Sequence, residues 1–139
     1  MASDVFVDSA GLYALADHRD PAHSHAERIV GERARAGRRL VLTDYILDEA
    51  ATLAMARRGG YAALRLLEIP DLSGGFDLEW IGPERFAAAK ALFRKHADHG
   101  YSFTDCTSFI VMRELGLAEA LTTDRHFRAA GFKPLLPVA

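Results

Sequence analysis

Apolar positions along the chain change period several times, between short β-rich runs and stretches with helical spacing. Val5-Phe6-Val7 is a compact strand-like run that leads directly into Asp8-Ser9, after which Leu12, Leu15 and Ala16 recur at helical spacing. Asp20-Pro21 predicts a helix start, with an acid able to cap and a proline in the first turn. That helix is expected to run through Ile29 and Val30 to about Ala36, where Gly37 stops it. Leu40-Val41-Leu42 predicts a second buried strand. Thr43 or Asp44 can cap the helix that follows, which carries Ile46, Ala50, Leu53 and Ala54 up to the break at Gly59-Gly60. Residues 61–68 read as helix again, ended by Pro70, and residues 76–81 as a third strand. Pro83 opens a helix through Phe86, Ala89 and Phe93 to about His96. Residues 104–115 predict a helix stopped by Gly116, residues 118–121 a short strand, residues 125–130 a short helix closed by Gly131, and residues 133–136 a last strand.

Strands separated by helical stretches predict an α/β fold with a mostly parallel sheet. Right-handed connections then place helices on both faces. The 139 residues carry no repeat, low-complexity tract or linker, so one domain over residues 1–139 is expected. Half of the residues are hydrophobic and 26% are charged, enough for a core without staples. The single cysteine, Cys106, excludes an internal disulfide and suits a reducing compartment. The N-terminal stretch lacks the basic-then-apolar pattern of a secretory signal, and no apolar run is long enough to span a bilayer. A cytoplasmic protein without a membrane partner is expected. The net charge of −2 argues against nucleic-acid binding through global charge, yet it allows a local basic strip beside an acidic centre.

In a parallel sheet, functional groups collect beyond the carboxyl ends of the strands. Asp8 directly follows the first strand, and Asp124 follows residues 118–121 after Thr122 and Thr123. Each of these aspartates can equally be the cap of the next helix. Glu49 lies too far inside its helix to cap it. Ile46, Ala50 and Leu53 place it at the border of the apolar stripe, where a carboxylate needs a partner. Asp48 competes for that role but shares the wetter face with Asp44 and Thr52. Asp105 opens its helix and shares a face with Ser108 and Phe109. Thr104 is expected to cap that helix, leaving Asp105 free. Four carboxylates close together raise one another's pKa values unless cations intervene. Hard cations such as Mg²⁺ or Mn²⁺ prefer oxygen donors and can promote in-line displacement at a phosphate.

Four segments carry a family resemblance: Val5-Phe6-Val7-Asp8-Ser9, Leu47-Asp48-Glu49, Ser102-Phe103-Thr104-Asp105-Cys106 and Thr122-Thr123-Asp124-Arg125-His126-Phe127. In this order and approximate spacing they resemble the signature of PIN domains, and in particular the VapC-type toxins of prokaryotic toxin–antitoxin pairs. The resemblance runs from Val5 to the Gly131–Pro137 stretch. It implies a three-layer α/β/α sandwich and a Mg²⁺- or Mn²⁺-dependent endoribonuclease, usually a homodimer restrained by a cognate antitoxin. It makes Asp8, Glu49, Asp105 and Asp124 the catalytic and metal-binding residues. Asp8 and Asp105 are the leading ligands, and Thr123, Thr104 and Ser108 are supporting residues.

The remaining polar residues change this picture little. No pair among the six histidines has the spacing of a zinc motif, and structural or solvated roles are expected for them. Ser9 or Ser108 with a histidine lacks a nucleophile-elbow pattern. Basic groups occur at Arg33-Arg39, Arg57-Arg58, Lys90-Arg94-Lys95 and Arg125-Arg128. Solvated helix faces explain most of them. Arg125, adjoining Asp124, and then Lys90 and Arg94 are the candidates for RNA phosphates, while Tyr13, Tyr101 or Phe103 could stack on a base. Trp80 and the phenylalanines are expected in the core. Two other functions fit the same residues: a silent PIN-like module that binds RNA or protein, and a DNA nuclease or phosphatase on a related scaffold.

Overall fold

A computed structural model describes residues 4–138. Five strands form one parallel sheet in the order β3-β2-β1-β4-β5, where β1 is Val5–Val7, β2 Leu40–Thr43, β3 Phe76–Glu79, β4 Glu119–Leu121 and β5 Lys133–Pro134. Seven helices flank it: α1 (Ser9–Ala16), α2 (His23–Arg35), α3 (Asp44–Arg58), α4 (Gly60–Leu72), α5 (Gly82–Lys95), α6 (Phe103–Leu115) and α7 (Arg125–Ala129). The predicted three-layer α/β/α sandwich is therefore observed. The central strand β1 is covered on both faces, which is why all three of its residues are apolar and buried. Phe6, Phe109 and Phe127 lie in the core, with the Phe109 and Phe127 rings edge to face at 5.0 Å.

The strand order places the site. From β1 the chain moves through β2 to β3, then crosses back and places β4 on the other side of β1. Connections leave β1 and β4 in opposite directions, and this opens a crevice beyond their carboxyl ends. Gly11 brings α1 hard against β4: a Cβ there would lie 2.0 Å from the Leu121 carbonyl oxygen. Only a glycine lets this helix sit so close to the strand.

Several predicted boundaries move, each for a local reason. Asp20 does not open α2. Its carboxylate accepts the Ala22 N–H and its carbonyl the His23 N–H, so a turn precedes the helix, which starts at His23. Pro70 does not end α4. It sits inside the last turn, where one hydrogen bond is lost, and the helix continues to Leu72. The third strand ends at Glu79, and Trp80, expected in the core, is 68% exposed beside this edge strand. Phe86 and Phe93, also expected in the core, are 42% and 40% exposed. The last strand is only two residues long and ends at Pro134, which has no N–H to offer a ladder. Thr43 caps α3 as expected, accepting the Ile46 N–H at 3.1 Å.

Candidate functional site

Asp8 leaves β1 in an extended conformation and precedes α1, yet its side chain makes no capping bond. The carboxylate instead accepts a 2.7 Å hydrogen bond from Thr122 Oγ1 and is 4% exposed. The same Thr122 oxygen accepts the Asp124 N–H at 2.9 Å. Its single proton is thus directed at Asp8, and one hydroxyl ties the end of β4 to the end of β1. Burial pushes the Asp8 carboxyl up to about 7, and the nearby charges of Asp105 and Glu49 push the same way. The bonds from Thr122 and the Ser9 backbone oppose the rise without cancelling it.

Asp105 is buried in the first turn of α6. Its Oδ2 accepts the Ser102 N–H at 3.0 Å, and Ser102 Oγ accepts the Asp105 N–H at 3.0 Å. This is a capping box, so Ser102 is the cap, not Thr104, and Asp105 is not released from structural work as expected. Three-residue spacing explains the difference: Ser102 can reach the N–H of Asp105, whereas Thr104 is already inside the helix. Burial raises the Asp105 carboxyl and Asp124 adds to the rise, while the Ser102 bonds and His126 lower it.

Asp124 caps α7, its Oδ1 accepting the His126 N–H at 2.8 Å. That turn returns the His126 ring to the crevice, with Nδ1 3.3 Å from Asp105 Oδ2 and 3.4 Å from Asp124 Oδ1. Asp105, Asp124 and His126 each offer a ligand atom within 4.8 Å of the other two. Glu49 arrives from α3 and accepts a hydrogen bond from Ser9 Oγ at the start of α1. It is exposed, so the hydroxyl of Ser9 holds it and not the apolar border that its spacing suggested. Asp48 is exposed too and makes no hydrogen bond to the site.

The fold therefore gathers the four predicted acids at the crevice. Glu49 and Asp105 both act on Asp8, and Asp124 acts on Asp105. Among the described residues, His126 is the only side chain within ion-pair distance of any of the four. Buried carboxylates with no lysine or arginine partner are a donor set for a hard cation, and a divalent ion fits here. Of the expected supporting residues, Thr123 makes no side-chain hydrogen bond among the described residues, whereas its neighbour Thr122 bonds Asp8 and the Asp124 N–H. Thr104 contributes its carbonyl, to Thr107 Oγ1 at 2.6 Å. Ser108 is fully buried, and among the described residues its Oγ has no hydrogen-bond partner. Arg125 is exposed beside Asp124, and Lys90 and Arg94 are exposed on α5 without touching an acid of the cluster.

Ser9, Ser102, Thr122 and His126 were missed by sequence reasoning. Ser102 was legible, since Ser102-x-x-Asp105 is a capping-box spacing. His126 carried a weaker signal, two residues beyond Asp124 in a quoted motif. Ser9 and Thr122 lie inside the segments that carry the resemblance, but nothing in those segments says which acid each hydroxyl would hold.

Over residues 5–133 the chain matches the family model described as PIN domain. Two relatives named 23S rRNA-specific endonuclease VapC20, from Mycobacterium tuberculosis strains CDC 1551 / Oshkosh and ATCC 25618 / H37Rv, are each 32% identical over 133 residues. These alignments cover 96% of this chain and 98% of the relatives. The crystal structure of Mycobacterium tuberculosis VapC20, described as a sarcin-ricin loop cleaving toxin, is similar with a TM-score of 0.84 and 31% identity. That match covers 96% of this chain and 100% of the other.

Proposed function

The chain belongs to the PIN domain family, and on that premise we propose that it is an endoribonuclease toxin of a toxin–antitoxin pair. It hydrolyses RNA phosphodiesters with Mg²⁺ or Mn²⁺ held by Asp8, Glu49, Asp105 and Asp124. One observation carries the reading: four carboxylates share a crevice, two of them buried, and among the described residues no lysine or arginine lies within ion-pair distance of them. The relatives' named substrate, 23S rRNA, makes a structured ribosomal RNA the first substrate to test. A cognate antitoxin, a homodimer, a cytoplasmic location and a single domain over residues 1–139 belong to the same proposal.

When bound, the cations supply water activation and stabilisation of charge on the phosphate under attack. The protein's own groups supply position. Thr122 fixes the orientation of the Asp8 carboxylate through its Oδ2. Ser102 fixes the rotamer of Asp105 through reciprocal capping bonds. Ser9 holds Glu49, and His126 spans Asp105 and Asp124. These bonds orient ligands that would otherwise repel one another, as outer partners do in metal sites generally.

The test is cleavage of purified ribosomal RNA in Mg²⁺, Mn²⁺ or EDTA, with single-stranded DNA and a phosphomonoester alongside. Cleavage of RNA alone, lost in EDTA and reduced at least a hundredfold in Asp8→Asn and Asp105→Asn, is expected. Full activity in either variant removes that residue from the mechanism. Cleavage of DNA or of the monoester in place of RNA refutes the substrate class.

A further inference from the structure

A second polar constellation runs along α1 and α3, starting at the acids and leading away from them. Ser9, Tyr13 and Asp17 form a row at four-residue spacing along α1 and its C-terminal cap, and Glu49, Leu53 and Arg57 form the matching row on α3. Ser9 meets Glu49 at one end, Arg57 lies 5.0 Å over the Tyr13 ring in the middle, and Arg58 Nε donates to Asp17 at 3.0 Å at the other. The two helices therefore run side by side in the same direction. Eight residues at 1.5 Å each put the Asp17 end about 12 Å from the acidic end.

At that far end is a cavity of about 280 Å³ lined by Asp17, His18, Arg19, Arg58 and Arg65, among others. Three arginines and one carboxylate line it, and that carboxylate is already engaged. Asp17 accepts from the Tyr13 hydroxyl at 2.6 Å, from Arg58, and from the Arg19 N–H at 2.9 Å. It fixes Arg58 in place and has little capacity left for the others. Among the described residues, the side chains of Arg19, Arg57 and Arg65 form no ion pair. Two unpaired guanidinium groups, Arg19 and Arg65, beside Arg58 held by Asp17 around a concave site match phosphate, which arginine recognises through paired N–H donors.

We infer that this cavity is a phosphate subsite that holds the RNA strand a few nucleotides away from the bond cut at the acids. The inference rests on the proposed ribonuclease function. A strand crossing about 12 Å of surface brings a non-reacting phosphate to Arg19, Arg58 and Arg65 while another phosphate lies at the acids. Contact with a remote phosphate binds ground state and transition state alike, so it acts on KM and not on kcat.

The test uses the Arg19→Ala/Arg65→Ala double variant, since both side chains are exposed and unpaired. Arg35→Ala, an exposed charge on α2, is the control. Steady-state cleavage of RNA in Mn²⁺ is measured between 50 and 200 mM salt, and a fluorescein-labelled single strand of about twelve nucleotides is titrated in EDTA. The double variant is expected to raise KM about tenfold at low salt with kcat unchanged. Its log-affinity against log-salt slope is expected to be shallower by about 1. The control should match wild type. Equal KM and equal slope in the double variant and wild type overturn the subsite and leave the ribonuclease reading intact. Wild-type protein that neither binds nor cuts RNA overturns both. Displacement of the RNA by millimolar inorganic phosphate without loss in the double variant also counts against it. Weakened binding of an acidic peptide with unchanged RNA binding would assign the cavity to a protein ligand instead.

Discussion

Removing the metal should make this protein less stable as the pH rises, and Asp8 should be the main cause. Its carboxyl is held at about 7 in the folded chain against an ordinary 3.8. The folded state therefore binds this proton more tightly than the unfolded state does. That contribution is complete below about pH 4 and is lost as the pH rises through about 7. A difference of that size corresponds to about 4 kcal/mol as a ceiling, of which about 2–3 kcal/mol falls between pH 5 and pH 8. The raised Asp105 carboxyl adds a change of the same sign. For a chain of this length, the Asp8 part amounts to a fall in Tm of about 8 °C between those pH values. A divalent cation replaces the proton as the counter-charge, so Mg²⁺ or Mn²⁺ should restore Tm at pH 8 far more than at pH 5. Thermal unfolding in EDTA and in millimolar cation, across pH 5 to 8, measures all of this. Asp8→Asn cannot ionise and should flatten the metal-free profile, with part of the gain at pH 8 offset by a poorer bond to Thr122. Wild-type protein in EDTA with the same Tm at pH 5 and pH 8, or Asp8→Asn with the wild-type slope, refutes the reasoning.

Three further outcomes follow from the same geometry. Gly11→Ala forces a methyl group to 2.0 Å from the Leu121 carbonyl and should cost about 3 kcal/mol or more, read by denaturant unfolding; a cost below about 1 kcal/mol would mean α1 can move away from β4 freely. Thr122→Val keeps the side-chain shape but leaves Asp8 and the Asp124 N–H unpaired. It should cost about 1–3 kcal/mol, push the Asp8 carboxyl higher still and weaken Mn²⁺ binding in calorimetry, with unchanged stability as the contrary result. Glu49→Gln should reduce Mn²⁺ affinity while Asp48→Asn leaves it at the wild-type value, because only Glu49 is held at the crevice by Ser9; equal effects would contradict that placement.

Much of the architecture was legible because its signals are local. Val5-Phe6-Val7 reads as a strand because it is a short run of β-favouring apolar residues. Thr43 reads as a cap and Gly116 as a stop because each acts within one helical turn. Where local signals competed, the weaker reading sometimes prevailed. Pro70 resembles a terminator, but a proline in a last turn removes one bond and need not stop a helix already supported by packing. Trp80 resembles a core residue by type, but its burial depends on what covers the edge of β3, and little does.

For the site, position after a strand was enough to nominate Asp8 and Asp124, and exclusion from capping was enough to nominate Glu49. Their partners could not be found the same way. Thr122 and Thr123 are chemically the same, and only the pairing of β4 with β1 turns Thr122 toward Asp8. Ser9 and Glu49 are separated by forty residues and meet because α1 and α3 run side by side. His126 reaches Asp105 because the one-turn helix α7 turns its ring back into the crevice. The strand and helix pattern, the α/β class and the acids themselves are properties of short segments, set by periodicity, capping and residue chemistry. Which carboxylates are buried, which hydroxyl holds each, and how far the Asp8 carboxyl is raised depend on contacts between distant segments, and those exist only once the sheet order has assembled the crevice.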